Sequence, residues 1–312
     1  MIRYAAGRVL AMVPVLFGVS IVVFLLIRLI PGNPAISILG ERATPELVER
    51  VKNQLGLDLP IWRQYLHFLG NASRLDFGPS YFYKQEVSTL TLERIPVTLT
   101  LIGYAMAIGL VISVPFATWA AIRREGPADH VIRLVFTSII GIPTFWMGII
   151  LALLLSVRWK LLPLGGVGVS RLDTLWHLTL PALTIGLHIS PTLVRALRSS
   201  LIEVMSSDYV TTGVAMGLRP VTRLFSYVLR NGLTPFISTL GLNIGWLIGG
   251  TIIIEQVFGV PGVGSLLITS ILTRDYSIIQ FVALVLAFLV IVVNLLTDLT
   301  YALLDPRVSF KA

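Results

Sequence analysis

The chain has 312 residues, of which 55% are hydrophobic and 13% charged, whereas about a quarter of the residues in a soluble domain are charged. This composition argues against a soluble protein and indicates that a lipid bilayer surrounds much of the chain. Cysteine is absent, which excludes a disulfide framework and a Cys-based metal or redox site. The formal charge of +8 arises largely from cations at the ends of apolar runs, so membrane topology explains it and no nucleic-acid partner is expected.

Six apolar runs are long enough to cross a bilayer as helices. A helix needs roughly 18 to 20 apolar residues to cross about 30 Å of hydrocarbon. Five of the runs contain no Asp, Glu, Lys or Arg, and the first is interrupted only by Arg28. The sequence therefore predicts an all-α, polytopic membrane protein with about six transmembrane helices, at residues 9–30, 97–122, 134–157, 174–194, 232–254 and 276–297. The first run is followed by Ile-Pro-Gly-Asn-Pro rather than by a small-residue cleavage site, which favours a retained helix.

The distribution of Lys and Arg sets the orientation. With a cytoplasmic N-terminus, twelve cations lie on the inner side and four in the short outer loops, as the positive-inside rule requires. The inner residues are Arg3, Arg8, Arg123, Arg124, Arg133, Arg195, Arg198, Arg219, Arg223, Arg230, Arg307 and Lys311, and the outer ones are Arg158, Lys160, Arg171 and Arg274. We expect both termini to be cytoplasmic.

The long segment 31–96 then lies outside the membrane. Within it, "TPELVERVKNQLGLD" has Thr44 as a candidate N-cap, Pro45 at the first helical position and apolar residues at helical spacing. We divide the chain into residues 1–95, the first transmembrane helix plus an extracytoplasmic segment, and residues 96–312, a transmembrane core. The outer segment is a candidate for an extracytoplasmic gate or a docking site for a binding protein.

Prolines and small residues mark the later helices. Pro143 is expected inside the third span, and Pro181 and Pro191 inside the fourth, where proline frees backbone carbonyls and bends a helix. In the fifth span Gly241, Gly245 and Gly249 recur every four residues, which is typical of close helix packing.

The fifth span also supplies the candidates for a lining of the translocation path. These are Asn243, Gly245 and Glu255. For Glu255 two interpretations remain open, because an acid near the membrane is usually functional or paired but this one is close enough to the outer interface to be simply solvated.

Enzymatic motifs are absent from the sequence. No Gly-x-x-x-x-Gly-Lys loop and no Gly-x-Ser-x-Gly elbow occurs, and the four histidines show no i, i+4 pair, so neither a phosphate loop, a nucleophile elbow nor a zinc helix is indicated. His188 is expected to be a hydrogen-bonded structural residue. We predict no catalytic, cofactor or metal site and no enzymatic activity in this chain.

The loop 199–235 joins the fourth and fifth spans on the cytoplasmic side. Ser207 or Asp208 can cap a helix at its positive end, and Gly217 followed by Pro220 can terminate it. A two-turn helix is marginal alone, and apolar Tyr209, Val210, Val214 and Met216 are expected on its surface, so this helix should dock against a partner. The segment after it has Val221, Leu224, Phe225, Val228 and Leu229 on one helical face, which predicts a basic amphipathic helix before the chain re-enters the membrane at Pro235.

These stretches resemble one family of transporters. "DYVTTGVAMGL" followed by "LRNGLTP" is similar to the cytoplasmic signature loop of ABC importer permeases, in the version found in the dipeptide, oligopeptide and nickel group. "LIPGNP" after the first span and "EQVFGVPGVGSLL" after the fifth agree with it, and the likeness covers nearly the whole chain. Gly213 stands where alanine is usual in the family.

The resemblance implies a permease subunit that moves short peptides across the bacterial cytoplasmic (inner) membrane by alternating access. It implies a second homologous permease, two cytoplasmic ATPase subunits or domains that bind ATP and Mg²⁺, and an extracytoplasmic substrate-binding protein. This chain, surrounded by membrane lipid, would bind no cofactor. The ATPase-coupling helix would comprise Asp208, Tyr209, Val210, Thr211, Thr212, Gly213, Val214, Ala215, Met216 and Gly217.

Two other functions remain as alternatives. An ion-coupled secondary transporter would need acids deep in the membrane and often inverted repeats, neither of which is evident. A permease of the same group for nickel or another small solute would share all of these features, because the binding protein commonly selects the substrate.

Overall fold

The computed structural model describes residues 2–28, 36, 39, 43–55, 58–80 and 82–304. Throughout this described part the chain is helical, and its only strand-like pairing is an isolated bridge between Pro79 and Glu86. The elements are α1 (Ile2–Arg28), α2 (Pro45–Leu55), α3 (Ile61–Ser73), α4 (Val87–Leu92), α5 (Ile95–Ile122), α6 (Pro127–Ile140), α7 (Thr144–Leu151) with a π-helical continuation (Ala152–Arg158), α8 (Arg171–Met205), α9 (Asp208–Ala215), α10 (Pro220–Thr222) with a π-helical continuation (Arg223–Leu229), α11 (Arg230–Val257), α12 (Val263–Leu272) and α13 (Tyr276–Leu304).

The all-helical class with several membrane-spanning helices is confirmed. Among the described residues, four helical stretches are long and apolar enough to cross a bilayer: Val87–Ile122, Arg171–Met205, Thr239–Val257 and Tyr276–Thr297. The pair Pro127–Ile140 and Thr144–Arg158 forms a fifth if it is counted as one bent span. Residues 9–28 of the first predicted span lie in α1, a helix of 27 residues whose stretch Leu10–Leu25 is apolar but shorter than the four spans. The last two residues of that predicted span lie outside the described residues. The motif "LIPGNP", at residues 29–34, lies outside the described residues.

The third predicted span is not one continuous helix, and this expectation was wrong. Its two halves, α6 and α7, meet at a bend of 103°. Pro143 does not lie inside a helix but at the N-cap of α7, with φ −57° and ψ 134°, and this extended ψ interrupts the helical backbone between α6 and α7. Pro181 and Pro191, in contrast, lie inside the 35-residue α8 as expected.

The chain divides into two compact units. The first comprises residues 1–5, 100–260 and 293–312, and the second residues 6–99 and 261–292. In the first unit α8 is the central helix, because α11, α6 and α7 all pack against it. The helix α8 also packs closely against the middle of α5. Ser113 donates a hydrogen bond to the carbonyl of Ser190 at 3.4 Å, and a Cβ at Gly186 would lie 3.0 Å from the carbonyl of Ala105.

The second unit contains the outer segment. Thr44 accepts a hydrogen bond from the backbone N–H of Leu47 at 3.3 Å, so the predicted N-cap of α2 is confirmed. Nearby, Phe24 of α1 packs against Phe68 of α3 in a buried cluster. At the start of α13, the carboxylate of buried Asp275 accepts a hydrogen bond of 2.6 Å from the hydroxyl of Ser80.

In the first unit, two of the three spaced glycines lie against the end of α13. A Cβ at Gly241 would overlap the side chain of Thr297, and one at Gly245 would lie 2.9 Å from Oδ1 of Asn294. A Cβ at Gly249 would meet nothing within 4 Å. Of the three spaced glycines, only Gly241 and Gly245 therefore allow close packing against α13.

Gly241→Ala should destabilise the protein by about 1–3 kcal/mol, because the added methyl group overfills the contact with Thr297. Gly249→Ala is the matched control in the same helix, and it should be neutral or stabilising by up to about 1 kcal/mol through helix propensity. Thermal unfolding of the two purified variants in detergent measures the difference, and equal midpoints would contradict the packing role of Gly241.

Candidate coupling site and translocation face

The N-terminus of α9 is fixed by a sharp turn after α8. Ser207 occupies the N-cap position with extended backbone angles, φ −75° and ψ 151°. Its side chain does not cap α9 but donates a hydrogen bond of 2.6 Å to the carbonyl of Val204 in α8. The sequence predicted Ser207 or Asp208 at this end of the helix. Ser207 holds the N-cap position, and Asp208 lies in the first turn of α9, where a negative charge stabilises a helix.

The C-terminus of α9 ends in a Schellman motif. Gly217 has φ +73°, as the sequence predicted, and its N–H donates to the carbonyl of Val214 at 3.0 Å. The N–H of Leu218 donates to the carbonyl of Gly213, also at 3.0 Å. These two bonds are the pattern that closes a helix on a left-handed glycine. A Cβ at Gly213 would lie 3.1 Å from Cδ1 of Leu218, so the glycine allows this turn to close tightly.

Three apolar side chains of this short helix face outward. Tyr209 and Val214 are exposed, and Met216 just after the helix is 70% exposed. The expected exposure of Val210 was wrong, since Val210 is only 4% exposed. One face thus holds α9 on the neighbouring π-helical segment and α8, while the other presents apolar surface.

The predicted amphipathic helix is continuous with the fifth span. Residues Arg223–Leu229 form a π-helix, and α11 follows at once and continues through position 235. The point at which the chain enters the membrane stays a prediction. The wider helical turn also divides the predicted apolar face: Val228 is buried, whereas Val221 and Phe225 are exposed, because π-helical bonds join residues five apart rather than four. Val221 and Phe225 add to the exposed apolar surface near α9.

The end of α8 is anchored by a buried ion pair. Arg198 donates two hydrogen bonds to the carboxylate of Asp129 in α6, from Nε at 2.7 Å and from Nη2 at 2.6 Å. The side chain of Asp129 is fully buried and also accepts the backbone N–H of Glu125 at 3.0 Å. Arg133 lies 3.7 Å away and is half exposed.

Sequence reasoning missed this pair because its members lie far apart in the chain. The available signal was the one Asp among the cations of "IRREGPADHVIR", residues 122–133, although an Asp in the first turn of α6 also stabilises that helix by itself. A second contact supports the same region: the hydroxyl of Ser200 donates to the carbonyl of Gly232 at 2.7 Å. The base of the 199–235 loop is therefore held on both sides.

The three path candidates have different environments. Asn243 is half buried, and its amide donates to the carbonyl of Thr239 at 2.7 Å. Gly245 lies against Asn294. Glu255 is 0% exposed, which removes the simple solvated alternative, and Phe258 one turn later accepts a hydrogen bond from the N–H of Gly166 at 3.0 Å. Which of these residues lines the path stays a prediction.

Comparison with protein families gives matches to both parts of the chain. The family described as "Binding-protein-dependent transport system inner membrane component" matches residues 113–310, and its N-terminal counterpart matches residues 1–102. The chain belongs to this family. It is an ABC importer permease of the peptide and oligopeptide group, a multi-pass protein of the inner membrane, and a transport subunit rather than an enzyme.

Relatives and solved structures agree with this assignment. The permease is 34% identical to the glutathione transport system permease protein GsiC of Escherichia coli K12, over 100% of both chains. It is 37% identical to the oligopeptide transport system permease protein AppB of Bacillus subtilis, over 99% of this chain and 100% of that one. A subunit of the MetNI methionine ABC transporter shares the fold, with a TM-score of 0.59, 15% identity and coverage of 69% of this chain and 96% of that one.

The family makes the permease one component of a larger assembly. Binding-protein-dependent importers work with an ATPase and a binding protein. The predicted coupling helix, α9, presents exposed apolar side chains and contacts both α8 and the π-helical segment.

Asp129→Ala should destabilise the permease by about 3 kcal/mol, because it leaves the guanidinium of Arg198 largely buried without its partner. Arg133→Gln removes the exposed member of the same cluster and should cost less than about 1 kcal/mol. Unfolding of the two variants in detergent compares them. An Asp129→Ala protein as stable as Arg133→Gln would show that the pair does not anchor α8.

Proposed function

We propose that α9, with residues 208–217, is the coupling helix through which a cytoplasmic ATPase subunit drives this permease. The observation that carries the proposal is the combination of two fixed ends and an apolar outer face in a helix of eight residues. A helix this short gains little stability from its own hydrogen bonds. Exposed Tyr209, Val214 and Met216 therefore favour a helix that inserts into a groove of a partner.

The anchoring of α8 supports transmission of force from this helix. Movement of α9 would be passed to α8 across the Ser207 turn, and Arg198 would pass it to α6 through the bidentate contact with Asp129. Bidentate pairs resist both sliding and rotation of the two groups. Rigid-body rocking of the helices around a central path would give alternating access.

The complete importer in this proposal has four kinds of component, of which this permease is one. A second homologous permease completes the path, two ATPase subunits bind ATP and Mg²⁺, and an extracytoplasmic binding protein delivers the substrate. Short peptides are the proposed substrates. Two relatives that match over their whole length are permeases for glutathione and for oligopeptides, which supports this class.

Gly217→Val should prevent assembly with the ATPase or uncouple ATP hydrolysis from uptake, because a β-branched residue disfavours the left-handed conformation that Gly217 adopts. Gly217→Asn is the matched control, since asparagine tolerates this conformation better than other non-glycine residues. Copurification of the ATPase and ATP-driven peptide uptake in proteoliposomes measure the effect. Normal assembly and uptake by Gly217→Val would contradict the assigned role of α9.

The energy source separates this function from that of a secondary transporter. Proteoliposomes that contain the full set of subunits should accumulate short peptides only when ATP is supplied on the side of the membrane where the ATPase subunits lie. An imposed proton or sodium gradient should not replace ATP. Gradient-driven uptake by the permease alone would contradict the proposal.

A further inference from the structure

A polar stripe runs down one face of the second half of α8. Its members are His188, Thr192, Arg195 and Ser199, spaced i, i+4, i+7 and i+11, which places them on one side of a helix. Thr192, Arg195 and Ser199 are exposed and His188 is half exposed. On the same face of the first half, Pro181, Thr184 and Ile185 are buried. The stripe therefore begins near the middle of α8 and continues to the end that is predicted to be cytoplasmic.

The chemistry of the stripe does not suit contact with lipid. His188 and Thr192 lie within the predicted fourth span, 174–194, whereas Arg195 and Ser199 follow it on the cytoplasmic side. Polar groups within a transmembrane helix face a bundle interior or a water-filled cavity. Another exposed surface of the first unit is apolar. The groove between α5 and α6, with a volume of about 590 Å³, is lined by apolar residues such as Ile112, Phe116 and Val131. The two exposed faces of the first unit are thus chemically distinct.

An aromatic residue of α11 meets the upper end of this stripe. The imidazole of His188 stacks on the indole of Trp246, with ring centroids 6.1 Å apart and planes 18° from parallel. Trp246 is 60% exposed, and it lies on the same face of α11 as Asn243 and Ile253, at i+3 and i+10 spacing from Asn243. The exposed faces of the two helices therefore join at His188 and Trp246.

The histidine does not have the hydrogen bonds of a structural residue. Within the described residues, buried Nδ1 of His188 has no hydrogen-bond partner. Buried polar atoms are nearly always paired, and an exception in a native protein needs an explanation such as a functional role. The expectation that His188 is a hydrogen-bonded structural side chain is therefore wrong for this conformation.

We infer that the stripe of His188, Thr192, Arg195 and Ser199, together with Trp246, forms the inner half of the translocation path. This inference rests on the proposed peptide substrate. A short peptide offers a π-face or an apolar side chain to Trp246, amide groups to His188 and the hydroxyls, and a carboxylate to the guanidinium of Arg195. A carboxylate is the group for which arginine has the strongest geometric preference.

Because the native chain contains no cysteine, single-cysteine variants test the path directly. Thr192→Cys, inside the predicted span, should react with a charged, membrane-impermeant methanethiosulfonate applied to inside-out vesicles that contain the complete importer. Ser199→Cys, on the cytoplasmic side of the span, is the positive control for access of the reagent. Two controls should not react: Val194→Cys, which replaces a buried residue on the opposite side of α8, and Val111→Cys, which replaces an exposed residue on α5. A thiol that faces hydrocarbon is inaccessible to a charged reagent.

The same vesicles distinguish failure of this inference from failure of the proposed function. Peptide uptake by the cysteine-free permease tests the function, whatever the labelling shows. If uptake is normal but Thr192→Cys reacts as slowly as Val194→Cys, or reacts only in right-side-out vesicles, the path does not follow α8. Cross-linking of Thr192→Cys to the second permease would overturn the inference in favour of a subunit contact.

Contact with the substrate has its own measurement. His188→Ala and Trp246→Ala should each raise the KM for peptide uptake about fivefold, the effect of losing one neutral contact, with unchanged copurification of the ATPase. Val111→Ala, a truncation at an exposed position of α5, should leave KM unchanged. An unchanged KM in both path variants would show that the pair does not touch the peptide.

Discussion

The proposed transmission of movement from α9 depends on the ion pair between Asp129 and Arg198. Its two short bonds join α6 to α8 only a few residues before the turn into α9. A buried carboxylate is costly unless it is fully paired, and here the guanidinium and the N–H of Glu125 supply the partners. This pair makes the end of α8 a rigid base, and the contact between Ser200 and Gly232 fixes the start of α11 on the same base.

Hydrocarbon imposes the second constraint, because it cannot pair with polar groups. The outer faces of α5 and α6 satisfy it by being apolar, whereas the inner half of α8 carries an alternating row of hydroxyl, imidazole and guanidinium groups. The opposite mismatch occurs at α9, where apolar side chains are exposed to water. Exposed Val214 and Met216 lack an apolar partner there, and an ATPase groove would supply one. The match between each surface and its surroundings thus distinguishes three surfaces: the apolar groove of α5 and α6 for lipid, the polar stripe of α8 for the proposed path, and α9 for the proposed ATPase contact.

Much of this could be predicted from the sequence, because hydropathy and glycine geometry are local properties. The apolar runs gave the positions of the membrane helices, and Gly217 gave the end of α9 at a left-handed turn. The break at Pro143 could not be distinguished from the internal Pro181 and Pro191, since each of these prolines lies in a long apolar run and only tertiary packing decides whether a helix continues through a proline. The π-helical turn at Arg223–Leu229 likewise leaves no mark in a pattern that assumes 3.6 residues per turn.

The candidate site was predicted in outline and not in its contacts. The sequence located the coupling helix but could not show that Val210 turns inward while Met216 stays exposed, because both are apolar. Pairs such as Asp129 with Arg198, and His188 with Trp246, join residues 69 and 58 positions apart in the chain. No local pattern connects such residues. From the sequence alone, Arg198 was interpreted as a cytoplasmic cation and His188 as a structural side chain. These long-range pairs are where the structure adds most to the functional account.

The most direct test of the central claim is site-specific cross-linking from the coupling helix in the assembled importer. A cysteine at Val214 or Met216, the only thiol in this chain, is paired with cysteines introduced around the predicted groove of the ATPase, and Leu134→Cys on exposed α6 surface serves as the control. The account predicts a cross-link to the ATPase from positions 214 and 216, altered by ATP, and none from position 134. A transport-competent importer in which neither position of α9 cross-links to the ATPase would contradict it.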